Sequence, residues 1–274
     1  MDRLRVGLQD ALGRSGDDDL KLSLPSPTVP PTATTTTTRP AFSPAKPLRV
    51  WLGGDSLSAT PGESVINKAP NTQVIDTIGG IVDFHISTGL ARPEVFNWPD
   101  HLRQVLAQDN PDALLLTIGS NDDQTLTGEG GVGPALSDAW RTEYARRVGG
   151  LMDLITANGK RRLFWVGIPI ISDLARSRDH YKLMNDIVKY LAAQRPGRVY
   201  FIDTYSMFAQ PDGTYSDFVN GVLVRGHDGI HYTREGGDLI AEEVLRVFNR
   251  AYDLTTWQTT TTAAPRSTST TKAK

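Results

Sequence analysis

The sequence predicts an α/β fold, a parallel β-sheet covered by helices on both faces. Two patterns carry that expectation. Five short apolar runs, rich in β-branched and aromatic residues, recur along the chain, each bounded by Gly, Pro, Asn or Asp. Buried parallel strands read this way. Between the runs lie segments whose apolar residues recur three and four positions apart, as on a helix with one buried face. Alternation of the two kinds puts helices in the crossovers between parallel strands.

The strands, in order, are "LRVWLGG" from Leu48, "TQVIDTI" from Thr72, "DALLLTIGS" from Asp112, "RLFWVGIP" from Arg162 and "RVYFIDTY" from Arg198. The helix "PDHLRQVLAQDN" has Pro99 at its start and Leu102, Val105 and Leu106 on one face. "TEYARRVGGLMDLITANGK" aligns Tyr144, Val148, Leu151, Met152 and Ile155, and Gly159 ends it. "DHYKLMNDIVKYLAAQRPG" aligns Leu183, Ile187, Tyr190 and Leu191 and stops before Pro196. The last, "TREGGDLIAEEVLRVFNRAY", opens at Thr233 and aligns Leu239, Ile240, Val244, Leu245 and Phe248.

The stretch between Pro47 and Leu254, about 205 residues, suffices for one domain with a substantial core. On either side the chain is rich in Thr, Pro and Ala. Such tracts hold too few large apolar side chains to offset the entropy lost on ordering. The expected organisation is a disordered tail and linker over 1–47, one domain over 48–254 and a disordered tail over 255–274. Thr/Pro tracts also suit linkers or stalks outside the cytoplasm, which suggests an extracytoplasmic or cell-envelope location. The first residues hold no apolar run of signal-peptide or membrane-spanning length, so no membrane insertion by this chain is expected.

The formal net charge of −2 provides no electrostatic footprint for nucleic acid. The absence of Cys removes disulfides, thiolate metal sites and a cysteine nucleophile together. The five His are scattered, without a His/Asp/Glu cluster at ligand spacing. Neither a metal nor a cofactor is expected.

In open parallel sheets, reactive groups sit beyond the carboxyl ends of the strands, and three of those ends carry chemistry. The first reads Gly53-Gly54-Asp55-Ser56. Glycine tolerates the angles of a sharp strand-to-helix turn, which would present Ser56 as a nucleophile. An ordinary turn accounts for the same residues. The third strand runs into "GSNDDQ", where Asn121 offers a neutral amide donor suited to a developing oxyanion, or simple turn chemistry. Late in the chain, "RGHDGIHYT" places Asp228 three residues before His231. With Asp228 holding Nδ1, the Nε2 of His231 would face the serine as a base; His227 competes for that role. Three such coincidences at ends that one fold brings together favour catalysis.

These blocks resemble the SGNH, or GDSL, hydrolase superfamily. "GDSLS" at 54–58 matches its first block, "GSND" at 119–122 its Gly-x-Asn-Asp block and "DGIH" at 228–231 its Asp-x-x-His block. For the glycine block, Gly89 in "DFHISTGLARPE" is the best match, with Gly79 or Gly80 the competing choice. The likeness runs from Leu48 to Asn249. It looks closest to an uncharacterised bacterial branch, a domain of unknown function, with Gln124 after the Asn-Asp pair and a "WVGIP" strand. The resemblance implies a flavodoxin-like three-layer α/β/α sandwich with a five-stranded parallel sheet. It also implies a Ser56–His231–Asp228 triad acting on esters without a cofactor. The Ser56 N–H, the Gly89 N–H and the Asn121 side chain would form its oxyanion hole.

Two further segments invite a role. The Gly-rich insertion at 125–140 reads as a mobile lid or as a floppy surface loop. Tyr181 and Asn185, one turn apart, line the site or pack in the core. The functional expectation is a serine esterase that removes short acyl groups from a small-molecule or carbohydrate ester, acetylated envelope polymer included. O-acyl transfer from the same acyl-enzyme and a non-catalytic polysaccharide-binding module are the alternatives.

Overall fold

The computed structural model describes residues 42–255. Its strands are β1 (Leu48–Gly54), β2 (Ile75–Thr77), β3 (Asp83–Phe84), β4 (Ala113–Thr117), β5 (Arg162–Val166), β6 (Val199–Ile202), β7 (Phe218–Val219) and β8 (Val222–Leu223). The main sheet has the parallel order β2-β1-β4-β5-β6, the five strands legible in the sequence. The two-residue β3 adds a sixth, pairing Asp83 and Phe84 with Gly53 and Gly54 at the end of β1. It is too short to leave an apolar run in the sequence. β7 and β8 form a separate hairpin around Asn220 and Gly221, both at positive φ. Asn-Gly between apolar pairs is the expected signal for such a turn.

Helices α1 (Ala59–Lys68), α2 (Trp98–Gln108), α3 (Asp138–Thr156), α4 (Lys182–Ala193), α5 (Thr204–Phe208) and α6 (Arg234–Tyr252) fill the connections. A helical turn, Leu174–Arg176, and a π turn, Ser177–Tyr181, lead into α4. The starts of the long helices are chemically marked. Asn97, Ser137 and Thr233 each accept an amide three residues on, from Asp100, Trp140 and Gly236, satisfying a donor that the helix cannot pair internally.

Helix α1 packs on α6, while α3 packs on both α2 and α4; these two groups cover the two faces of the sheet. Every residue of β4 is buried, as a central strand covered on both faces must be. Trp98, Trp140 and Trp165 are almost fully enclosed, and Phe248 of α6 packs edge-on against Phe164 of β5. Among the described residues, no helix is long and apolar enough to cross a membrane.

The readings of 1–41 and 256–274 as disordered tail and linker lie outside the described residues. Residues 42–47 are described, and the Phe42 ring meets Tyr252 edge-on at 5.4 Å. The strand order positions the site. From β1 the chain goes to β2 on one side and then to β4 on the other. Between the ends of β1 and β4 the connections diverge, opening the crevice in which such sheets bind ligands.

Candidate active site

Ser56 is placed by the turn that ends β1. Gly54 has φ 147 and lies so close to β4 that an added Cβ would stand 1.9 Å from the Thr117 carbonyl oxygen. No other residue fits there. Asp55 then points inward and is fully buried. Its Oδ1 accepts the Leu57 amide (2.9 Å), and its Oδ2 accepts Ser120 Oγ (2.9 Å) and the Gly119 and Ser120 amides (3.2 Å each). One carboxylate thus stitches the serine turn to the turn after β4.

Asn121 and Gly89 meet on the other side of the crevice. Asn121 Nδ2 donates to the Thr88 carbonyl at 2.9 Å and to Ser120 Oγ at 3.2 Å. A Cβ on Gly89 would stand 2.1 Å from Asp122 Oδ1, so only glycine lets the 88–91 backbone close on this block. Asp122, also fully buried, accepts the Ala91 amide at 2.7 Å and the Tyr144 hydroxyl at 3.3 Å. Gly79 and Gly80 lie on an exposed turn, and an added Cβ on Gly80 would meet nothing. Gln124 donates to the Asn121 carbonyl.

The third contribution comes from the loop before α6. Ser56 Oγ lies 2.9 Å from His231 Nε2, and His231 Nδ1 lies 2.6 Å from Asp228 Oδ2. Asp228 Oδ1 also accepts the Ile230 and His231 amides at 2.9 and 3.0 Å. Partial burial raises the Asp228 carboxyl, but the His231 ring, the two amides and the imidazole charge outweigh it and hold it at about 2. An ionised Asp228 keeps the proton on Nδ1, leaving Nε2 to accept from the Ser56 hydroxyl. His227, the competing base, is exposed and is not the histidine at Ser56.

Residues 49–247 match the family described as "Protein of unknown function (DUF459)". The chain belongs to that family. No curated protein sequence matches this DUF459 chain. Solved structures share its fold at low identity. A GDSL-like lipase from Bacteroides thetaiotaomicron VPI-5482 superposes with a TM-score of 0.51 at 14% identity, over 74% of this chain and 89% of that one. A carbohydrate esterase family 2 enzyme plus carbohydrate binding domain from Corynascus thermopiles (Myceliophthora fergusii) gives 0.52 at 15%, over 78% and 68%. An acetyl xylan esterase gives 0.51 at 12%, over 73% and 98%. The DUF459 fold is therefore the GDSL/SGNH fold.

The supporting residues were less legible in the DUF459 sequence. Arg225 is 1% exposed, sandwiched between the Phe208 and Tyr232 rings at 4.6 and 4.4 Å. It donates to the Ile170 carbonyl at 2.9 Å and the Ile230 carbonyl at 3.1 Å. With the Gly226 amide donating to the His231 carbonyl (2.8 Å), it holds the loop that carries Asp228 and His231. Its proximity to that motif was the only signal. Asp123 binds Arg176 through both oxygens at 2.7 Å and His180 at 2.9 Å, beside Asn121.

Tyr181 and Asn185 are buried behind the site. Tyr181 donates to the Ser120 carbonyl (2.8 Å), and Asn185 pairs with both backbone groups of Ile168 (2.8 and 2.7 Å). The 125–140 insertion is anchored at its base, while residues 128–131 are exposed. Arg147 donates to the Thr127 carbonyl (2.6 Å) and the Leu90 carbonyl (2.7 Å), and Trp140 Nε1 donates to the Gln124 carbonyl (2.6 Å). The expectation of no clustered metal-ligand residues is corrected: Asp83, His85 and His101 bring three ligand atoms within 4.8 Å of one another. Asp83 and His85 are near in sequence, but His101 joins them only through the packing of α2.

Proposed function

We propose that this protein is a serine hydrolase acting on ester bonds, and the Ser56–His231–Asp228 hydrogen-bond chain carries the reading. Ser56 Oγ attacks the ester carbonyl carbon while His231 Nε2 takes the hydroxyl proton. The carbonyl π pair moves onto oxygen, where the Ser56 and Gly89 N–H groups and the Asn121 amide stabilise it. The Asn121 N–H on the longer contact to Ser120 is the one available to the oxyanion. Collapse breaks the bond to the leaving alcohol, which receives the proton from His231. Water then repeats the cycle on the acyl-enzyme, releasing the acid and restoring Ser56.

Short acyl groups on carbohydrate, acetyl above all, are the proposed substrates. Fold neighbours that include a carbohydrate esterase family 2 enzyme and an acetyl xylan esterase support this reading. Hydrolysis is favoured over acyl transfer because the His231 and Asp228 side chains are 46% and 49% exposed, leaving the acyl-enzyme open to water. The test combines a fluorophosphonate probe with acetate release from p-nitrophenyl acetate and acetylated xylo-oligosaccharides. The expected outcome is an adduct mapped to Ser56, absent in His231→Ala, together with turnover. A folded parent protein that neither labels nor releases acetate would sink the proposal and leave a binding module.

A further inference from the structure

Strand β3 ends two residues after it begins, and the chain turns away from the sheet at His85, whose amide donates to the Gly54 carbonyl at 2.9 Å. There Asp83 meets two imidazoles from separate elements. His85 Nε2 lies 3.1 Å from Asp83 Oδ1, and His101 Nε2, on α2, lies 2.8 Å from Oδ2. Aromatic rings fix how the imidazoles face. Phe96 stacks on His85 with centroids 3.8 Å apart, and Trp98 stands edge-on to both histidines at 5.7 Å. The three side chains are between 23% and 34% exposed, so an ion reaches them from solvent.

We propose that Asp83, His85 and His101 form a binding site for a divalent transition-metal ion of the zinc class. Two imidazoles and one carboxylate are the donors that zinc, cobalt and nickel favour, whereas magnesium and calcium prefer all-oxygen sets. Hydrogen bonding alone would direct two Nε2–H donors at a single carboxylate. An ion takes both Nε2 lone pairs instead, with the ring protons on Nδ1. The packed aromatic shell holds the ligands ready, as shells around metal sites do.

The ion would staple the Gly89 loop to α2. Thr88 Oγ1 donates to the His85 carbonyl (2.6 Å) and accepts from Trp98 Nε1 (3.1 Å), while the Thr88 carbonyl receives Asn121. Metal binding at 83, 85 and 101 therefore braces both ends of the segment that positions Gly89. This inference stands apart from the ester-hydrolase reading, and its test reads metal rather than turnover.

The full chain, stripped with chelator, would be titrated with Zn²⁺ and Co²⁺ by calorimetry, visible absorption and thermal melting. The expected result is one equivalent per chain, visible bands for bound Co²⁺ and a melting midpoint raised by several degrees. His101→Gln keeps a donor for Asp83 but is a poor zinc ligand. It should retain the metal-free midpoint and lose the equivalent, the bands and the shift. His231→Ala should bind metal as the parent does. Absence of a saturable equivalent at micromolar metal, or unchanged binding in His101→Gln, overturns the site. If His101→Gln does not fold, Asp83→Asn decides by the same readouts.

Discussion

Three aspartates serve the same end of the sheet, yet they occupy opposite environments. Asp55 and Asp122 are fully buried, where burial raises their carboxyls to about 6 and about 7 against the pull of neighbouring donors. The Asp55 charge adds to the rise at Asp122. Asp228 is 49% exposed, and its hydrogen bonds hold its carboxyl at about 2. The buried pair fastens turns together. In the proposed mechanism the exposed one orients the His231 base. Position relative to solvent, rather than residue type, divides the scaffold from the proposed chemistry.

The sharpest way to break this contrast is Asp228→Asn. An amide there favours the wrong imidazole tautomer, so kcat for ester hydrolysis should fall by about 10⁴-fold, as for the equivalent change in serine proteases. The melting temperature should fall only slightly, because the side chain is half in water and the Asn carbonyl can still accept the Ile230 and His231 amides. A large loss of stability instead would place Asp228 with the scaffold. Asn121→Ala should cost about 10²–10³-fold in kcat, the usual loss for one oxyanion donor. Steady-state kinetics would separate that effect from a change confined to KM.

Scaffold changes should act on stability first. Arg225→Ala leaves the Ile170 and Ile230 carbonyls without their donor and a cavity between Phe208 and Tyr232. About 3 kcal/mol of stability should be lost, measurable by urea denaturation. A pH slope reads the buried carboxyls. Asp122 binds its proton more tightly folded than unfolded, so the unfolded chain releases it first and stability falls as pH rises from about 4 to about 7. Asp122→Asn should reduce that decline in melts taken across the window, leaving the part that the raised Asp55 carboxyl contributes between about 4 and about 6. Asp228 has the opposite sign. Its contribution is full above the unfolded value and is lost only as pH falls towards about 2.

Much of the fold was legible because its signals are local. Thr233 caps α6 where the Thr-Arg-Glu-Gly-Gly stretch begins, and each of the five apolar runs contains a strand of the main sheet. Strand β3 was not legible, since two paired residues carry no period. The hairpin over β7 and β8 was legible in principle, from Asn220-Gly221 between apolar pairs. Of the site, Ser56, Asn121, Asp228 and His231 stood out because each is a polar residue where a strand ends or a helix begins. The anchoring of the base of 125–140 was hidden, because it depends on Arg147, a residue that reads as an ordinary helix surface position.

By itself the sequence determined which segments are strands and helices and which reactive side chains stand at their ends. Hydrophobic period and turn chemistry act over a few residues. Tertiary structure alone decided what depends on distant segments meeting. It packed Gly89, and neither Gly79 nor Gly80, against Asp122. It buried Asp55 and Asp122 while leaving Asp228 in solvent, and it joined His101 to Asp83 and His85. Carboxylate ionisation and ligand convergence both depend on through-space distance and dielectric, which chain order does not encode locally.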